Sequence, residues 1–382
     1  MLLGYGARNC WCFKDWIDID LRLDGYVPKE IAQGKNFSTI LGFKGANASG
    51  KTNALKIFAF IADFAQNSFL YPTDSKILFD SFFLNEENSD FYVEFIIHDI
   101  EYRYECTLSK DKVINEVLFE IKNSGDYVLF KRNFNKILEN HLYDNATKII
   151  YRNNASFIST LHQYGVENIS IIYGFFSRKT INVTYRGLRH EIDRNIPAIS
   201  NSYFHNKDAL IFTKNLIKKF DTGISDIEIS FREDEAAEKS YFPIFSHDDA
   251  GFIKKLTIDQ ESSGTKALYI DLFFYYTNLK SGGVLILDEF DINLHPDILP
   301  HLIKLFTDNV TNPLSAQMLF TSHNAEILDI LGKYRAYIVE KEAGESFAYR
   351  LDEPKTNILR NDRPISVPYR RHFLGGYPKI EA

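Results

Sequence analysis

The stretch Gly45-Ala46-Asn47-Ala48-Ser49-Gly50-Lys51-Thr52 constrains this chain more than any other. It satisfies G-x-x-x-x-G-K-[ST] at every fixed position, the pattern of a loop whose backbone N–H groups curl around phosphate. The glycines permit positive φ and let backbone approach an anion closely. Lys51 adds a point charge for β- and γ-phosphates, and the Thr52 hydroxyl can ligate Mg²⁺. The flanks agree with the motif. Phe37-Ser38-Thr39-Ile40-Leu41-Gly42-Phe43 is an apolar, β-branched run that predicts a buried strand. From Lys51 to Gln66, Leu55, Phe58, Ala62 and Ala65 fall on one helical face. Strand, loop and helix in that order place a helix N-terminus behind the phosphates. Lys51 is expected to face solvent when no ligand is bound.

A second carboxylate-bearing segment supplies what a phosphate loop lacks. Gly283-Val284-Leu285-Ile286-Leu287-Asp288-Glu289 predicts a buried strand that ends in two acids. Asp288 can hold Mg²⁺, directly or through water, and Glu289 can polarise an attacking water as general base. Pro296 sits near the first turn of a helix predicted to run to about Asp308. Another buried strand, Gln317-Met318-Leu319-Phe320-Thr321, ends at Ser322-His323-Asn324, where His323 can sense a γ-phosphate or orient water. Between these motifs, Ser262-Ser263-Gly264-Thr265-Lys266 leads into a helix with Leu268, Leu272 and Tyr275 on one face. Its free N–H groups and hydroxyls suit an anion, as they would also suit an ordinary cap.

The rest of the chain reads as support for this centre. Met1 to Asp24 predicts two strands. Phe91 to His98, Glu101 to Leu108, Val113 to Ile121 and Tyr127 to Arg132 predict an antiparallel layer, with Asn123-Ser124-Gly125-Asp126 as one of its turns. From about Asn133 to Asp221 helical periodicity is patchy, with Ser156 to Tyr164 and Lys207 to Phe220 the two helical stretches. Ile227 to Phe231 and Tyr241 to Ser246 predict paired strands. The expected division is residues 1–132 and 223–382 as the two lobes that carry these motifs, with 133–222 an inserted helical subdomain. At 382 residues such a chain can bury a large core.

The ordered set Gly45–Thr52, Ser262-Ser263-Gly264-Thr265-Lys266, Leu287-Asp288-Glu289, Asp291 and Ser322-His323 resembles the ABC-type ATPase heads of SMC, RecF and OLD-family proteins. In that family these are the Walker A loop, signature loop, Walker B strand, D-loop and switch histidine. Glu261-Ser262-Ser263-Gly264-Thr265, the run from Asp288-Glu289-Phe290 to Leu294-His295-Pro296, Val339-Glu340-Lys341, and the tail from Arg360-Asn361-Asp362 to Gly375-Gly376-Tyr377-Pro378 are similar to small stand-alone AAA-type ATPases of abortive-infection and other anti-phage operons. Ser263 and Thr265 stand where the common signature has Gly and Gln. Cys10-Trp11-Cys12 stands where such heads often have Arg-Ser. No glutamine between the Walker A helix and the insertion fits a Q-loop, Gln66 lying too near the loop's own helix.

The resemblance implies an α/β fold: a P-loop ABC-type head with an antiparallel β layer and an inserted helical subdomain. It implies ATP and Mg²⁺ as ligands, slow hydrolysis between two protomers of a homodimer or higher even oligomer, and a nuclease or toxin as partner. Ser262, Ser263 and Gly264 of one chain would close on the γ-phosphate held by the other, with Asp291 nearby. About sixty residues follow His323, too few for the nuclease domain of OLD proteins. Two other outputs fit the same motifs: a DNA-binding maintenance ATPase of the RecF or SMC kind, and a non-hydrolysing, nucleotide-gated scaffold.

Composition narrows the partners. The net charge of −7 makes the whole molecule a poor electrostatic attractant for nucleic acid. The three cysteines, Cys10, Cys12 and Cys106, lack the spacing of a zinc or redox pair and are expected as reduced core thiols in the cytoplasm. No apolar run approaches the ~18 residues needed to span a membrane. The insertion is locally basic, through Arg178, Lys179, Arg186, Arg189, His190 and Arg194, which fits a solvated face and also a nucleic-acid or partner contact. A DNA contact through that stretch would weaken steeply with salt. Reversing charge with Arg186→Glu and Arg189→Glu should lower the affinity, measured by fluorescence anisotropy on a labelled duplex at several salt concentrations. Binding that ignores salt, or both reversals, assigns the contact to another surface.

Overall fold

A computed structural model describes residues 1–185, 187–188, 195–221, 223–233, 238–354 and 358–377. Arg186, Arg189, His190 and Arg194, and Pro378 of the tail, lie outside the described residues.

The chain opens with β1 (Leu2–Arg8) and β2 (Ile17–Asp20), then a short helix α1 (Lys29–Ala32). Strand β3 (Ile40–Lys44) is buried at every residue, as expected where both faces of a parallel strand are covered. Helix α2 (Lys51–Asn67) follows the glycine loop and buries Leu55, Phe58, Ala62 and Ala65, the face its periodicity predicts. Strands β4 (Ser89–Ile97), β5 (Ile100–Leu108), β6 (Val113–Ile121), β7 (Tyr127–Asn133) and β8 (Lys136–Asn140) join β1 and β2 in a seven-stranded antiparallel sheet, ordered β2-β1-β4-β5-β6-β7-β8. Burial along β4 alternates residue by residue, because only one face of this sheet meets the core.

Helices α3 (Phe157–Gln163) and α4 (Glu167–Ser177) both contact α2. Sequence periodicity finds α3, whose N-cap Ser156 accepts from the Ser159 amide at 3.0 Å. It does not find α4, whose run of Ile, Tyr and Phe has weak helix propensity and is held by burial of Ile169, Ile172, Phe175 and Phe176. Strand β9 (Lys179–Ile181) then enters the central sheet, followed by the small ribbon β10 (Val183–Thr184) and β11 (Gly187–Leu188). Helices α5 (Ile196–His205) and α6 (Lys207–Phe220) contact the three-stranded sheet of β12 (Ile224–Glu233), β13 (Lys239–Asp249) and β14 (Phe252–Thr257), and also α7 (Ser263–Ser281). The stretch 133–222 thus supplies an edge strand to one sheet, a strand to another, and helices to two cores.

The central sheet is completed by β15 (Val284–Leu287), α8 (Leu299–Thr307), β16 (Gln317–Thr321), α9 (Ile327–Leu331), β17 (Ala336–Glu342) and β18 (Glu345–Arg350), before the short helix α10 (Ser366–Arg370). Its order is β18-β17-β3-β16-β15-β9, and pairing is parallel except at β18. Alternate residues of these strands face two apolar cores, as the two-residue period of a strand requires. Leu41, Phe43, Ile286, Leu319 and Val339 join the core of α2 and the antiparallel layer. Ile40, Leu285, Leu287, Met318, Phe320 and Ile338 join the core of α7, α8 and α9.

One ion pair sits wholly inside. Arg132 and Glu116 are both fully buried, with Nη2 2.6 Å from Oε2. Glu116 also accepts from the Tyr104 hydroxyl at 2.5 Å and the Phe157 amide at 3.0 Å, so β5, β6, β7 and α3 converge on one carboxylate. Removing one partner strands the other charge, which costs about 3–5 kcal/mol. Arg132→Met should therefore lower the unfolding free energy measured in urea by that amount, with Glu116→Gln/Arg132→Met recovering part of it. A loss below about 1 kcal/mol in the single variant would mean that the pair is not what joins these strands.

Candidate nucleotide site

Strand register builds the site. Leu287 pairs with Phe320, Phe320 with Gly42, and Thr321 with Phe43. Lys44, the last residue of β3, and Asp288, the first residue after β15, therefore flank Thr321 at the carboxyl edge of a parallel sheet, where such sheets bind ligands. Asp288 is the hub. One carboxylate oxygen accepts from the Thr52 hydroxyl at 2.7 Å and the other from the Thr321 hydroxyl at 2.5 Å. Its backbone is clamped by Asn182, whose side chain accepts from the Asp288 amide at 2.7 Å and donates to its carbonyl at 2.9 Å.

The loop Gly45–Gly50 wraps the N-terminus of α2. A Cβ on Gly45 would lie 2.2 Å from the Val339 carbonyl, so backbone fills the space a side chain would need. Gly50 has φ +112°, and a Cβ there would meet Cys12 Sγ at 2.8 Å. Asn47 and Ala48 form the exposed tip, with Ala48 in the left-handed region at φ +60°. Ala46 closes the turn by accepting from the Ser49 amide at 3.2 Å.

Lys51 departs from expectation. Its side chain is buried and folds back, donating to the Gly45 carbonyl at 3.0 Å and the Ala46 carbonyl at 2.8 Å. Burial lowers its pKa, and Asp288 and Glu289 oppose that shift. The ammonium thus occupies the loop's own hollow. Two hydroxyls at the loop, Ser49 Oγ near Gly45 and Ser346 Oγ near Gly50, are buried with no hydrogen-bond partner. A glycine cradle, a buried cation and two unpartnered donors fit a phosphate group. Thr52 Oγ1 and Asp288 Oδ2 are hard oxygen donors close to the spacing of adjacent ligands around Mg²⁺, about 2.9 Å for bonds of about 2.0–2.1 Å. Among the described residues no group of three or more His, Cys, Asp and Glu converges on a metal position, and a hydroxyl with one carboxylate suits a cation that keeps most of its water.

Glu289 adopts φ +53°, an uncommon conformation for a residue with a side chain, and its amide donates to Thr321 Oγ1 at 2.8 Å. This turn aims its half-exposed carboxylate at His323, with Oε1 and Nε2 3.8 Å apart. Asp291 faces its own chain. It accepts from the Ser322 hydroxyl at 2.9 Å, the His323 amide at 3.0 Å and the Asn324 amide at 2.9 Å, and so fixes the turn that carries His323. The helix α7 end stands apart. Ser262 Oγ caps it through the Thr265 amide at 3.1 Å, Ser263 is exposed, and a Cβ on Gly264 would be 3.1 Å from the Asn293 carbonyl. Among the described residues, no hydrogen bond or ion pair joins Ser262, Ser263 or Gly264 to Gly45–Thr52, Asp288 or Glu289.

Several contributors escape sequence reading. Lys44 and Thr321 each adjoin a motif, and that adjacency is the signal that could have found them. Lys44 donates to the Ser322 carbonyl at 3.2 Å and to that of His323, and burial drops its pKa to about 8. Asn182, Cys12 and Ser346 arrive from distant segments and carry no local signal. Cys12 Sγ accepts from Asn53 at 3.1 Å, and its carbonyl accepts from the Ser346 amide at 2.9 Å. Lys179, read as part of a basic surface, is instead tucked against α2, donating to the Ala62 carbonyl at 3.2 Å, to the Phe176 carbonyl at 2.8 Å and to Gln66. Gln66 is thereby committed to a structural bond.

Thr321 both donates to Asp288 and accepts from Glu289, so its loss leaves two buried groups short of partners. Thr321→Val should destabilise the nucleotide-free protein by about 1–3 kcal/mol in urea unfolding, and Thr321→Ser should restore most of it. Equal stability of all three would show that the hydroxyl does not hold the strand ends.

Comparison with known proteins bears on the family and the fold. No curated protein sequence matches the chain. The structure is similar to an SMC head solved with the C-terminal winged-helix domain of ScpA, with TM-score 0.51 and 12% identity over 91% of this chain and 96% of that one. An SMC head domain from Thermotoga maritima gives TM-score 0.43 and 14% identity over 91% and 98%. The shared fold is the P-loop ABC-type head. Residues 40–329 match the family described as "AAA domain, putative AbiEii toxin, Type IV TA system". That match spans the loop, α7, Asp288, Glu289 and His323, and the chain belongs to this AAA family.

Proposed function

We propose that this chain binds ATP and Mg²⁺ at the strand-end site and hydrolyses ATP slowly between two copies, in a homodimer or higher even oligomer. The observation that carries the reading is the meeting of the glycine loop, the Thr52–Asp288 contact of 2.7 Å and the Glu289–His323 pair at adjoining strand ends. Mg²⁺ held by Thr52 and Asp288 would neutralise charge on the phosphoryl oxygens. Lys51 would exchange the Gly45 and Ala46 carbonyls for β- and γ-phosphate oxygens. Glu289 would take a proton from the attacking water, and His323 would orient that water or contact the γ-phosphate. Asp291 acts through the turn it fixes. Among the described residues Ser262, Ser263 and Gly264 make no hydrogen bond or ion pair to their own chain's loop, which leaves them free to close on the nucleotide of a second copy.

The output is a nuclease or toxin partner restrained or released by nucleotide state, as part of an anti-phage system. The family's description, which names a toxin and a toxin–antitoxin system, supports this reading, and so does the SMC head's occupancy by a domain of ScpA, a separate protein. No helix among the described residues is long and apolar enough to cross a membrane.

Glu289→Gln keeps size and hydrogen bonding but cannot take a proton. It should bind ATP nearly normally and hydrolyse it ~10²-fold more slowly or worse. The unhydrolysed nucleotide should then accumulate a dimer, seen by light scattering with and without ATP. Adding Ser263→Arg inserts bulk and charge at the exposed end of α7 and should disperse that dimer without loss of ATP binding. Normal turnover in Glu289→Gln would remove it as the base. A double variant that still dimerises with ATP would assign assembly to another surface.

A further inference from the structure

A cavity of about 680 Å³ runs along α2, away from its phosphate-loop end. None of its lining residues belongs to Gly45–Thr52, to Asp288 and Glu289, or to the turn that carries His323. One wall is α2 itself, through Ala59, Phe60 and Phe64. The opposite wall is Ile181 and Val183, and the 71–78 segment closes the side. The volume lies within the range of small-molecule sites, about 300–1,000 Å³, and so does the mix of an apolar wall with a few polar groups.

Those polar groups are placed at the two ends, and they lack partners. At one end the Trp11 indole Nε1 is buried without an acceptor. Lys56 stands beside it with Nζ 4.4 Å from the Trp11 ring centroid and 5.8 Å from that of Tyr185. Lys56 is only 8% exposed and makes no hydrogen bond or ion pair among the described residues. Asp80, a carboxylate whose charge acts on Lys56, is taken by Lys110 at 2.6 Å and the Tyr185 hydroxyl at 2.7 Å. At the other end Asn154 is 4% exposed. Its amide donates to the Pro72 and Ser75 carbonyls at 2.9 Å each, which fixes the side chain's orientation and leaves Oδ1 without a donor. The cavity's lining holds Lys56, Lys76 and Lys179 against one carboxylate, Asp63, which is bonded to Tyr71 at 2.5 Å and Asn67 at 2.8 Å. A buried donor or acceptor without a partner is costly, so the Trp11 indole N–H and Asn154 Oδ1 require a ligand or water to complete them, with the Lys56 charge beside the first. The apolar wall between them is unsuited to a chain of water.

We propose that this cavity binds a small aromatic anion. Its flat apolar body lies along Phe60, Phe64 and Ile181, its charged group meets Lys56 and the Trp11 indole N–H, and a donor group at its far end meets Asn154. The site is separate from the nucleotide site and does not depend on its function.

The probe is 1-anilinonaphthalene-8-sulfonate, an aromatic anion, titrated into the full chain. Saturable binding at one site per chain is expected, and excess MgATP should not displace it. The chain has two tryptophans, so the indole N–H resonances separate Trp11 from Trp16. The dye should shift the Trp11 resonance, assigned with Trp11→Phe, and leave that of Trp16 in place. Lys56→Met, which keeps length without charge, should weaken binding at least 10-fold. Ala59→Trp, which fills the wall, should abolish it in protein that melts as wild type does. A Trp11 resonance unmoved at saturation, affinity unchanged by Lys56→Met, or displacement by MgATP would each overturn the proposal, and the first of these needs no variant beyond the assignment.

Discussion

The Asp288 carboxylate is the joint on which the site depends. It is buried at the end of an apolar strand, where an unpaired acid would be expensive. Thr52 and Thr321 complete it, and each brings a structural element with it. Thr52 belongs to the first turn of α2 and so ties the glycine loop to the sheet. Thr321 ends β16 and passes the connection to the Glu289 amide. One carboxylate thus fixes the phosphate loop, the general-base candidate and, through β16, the turn that carries His323. Asn182 holds the same residue by its backbone and extends the joint to β9. The order of the strands matters here, because β3, β16 and β15 must be neighbours in that register for three short side chains to meet.

Much of this was legible in the sequence, for a reason that lies in the strands. β3, β15 and β16 are buried on both faces, so they appear as unbroken apolar runs, and each run stops where polar chemistry begins. Gly45, Asp288 and Ser322 are the first residues after those strands. The antiparallel layer was equally plain, because β4 alternates and its turns carry Gly, Asn and Asp. What escaped was held by tertiary contact. Helix α4 is rich in Ile and Phe and owes its form to packing on α2. Strand β9 is three residues long and is recognisable only by its pairing with β15. Asn182 is an unremarkable amide until β9 sets it beside Asp288.

The position of Lys51 is the other lesson of the site. A motif lysine next to glycines looks like an exposed charge awaiting a ligand. In the folded chain burial disfavours the ammonium, and Asp288 and Glu289 favour it. The two carbonyls of its own loop satisfy it in the meantime. The Lys51 cation thereby bridges Gly45, Ala46 and α2. Under the proposed function a phosphate would compete with two carbonyls for one ammonium whose bonds to them are already charge-assisted. Under that proposal affinity would rest on the sum of Lys51, the loop amides, the Ser49 hydroxyl and a cation at Thr52 and Asp288. Such a distribution would suit a switch, because no single contact would lock the nucleotide in and the contacts at Glu289 and His323 could change with loss of the γ-phosphate.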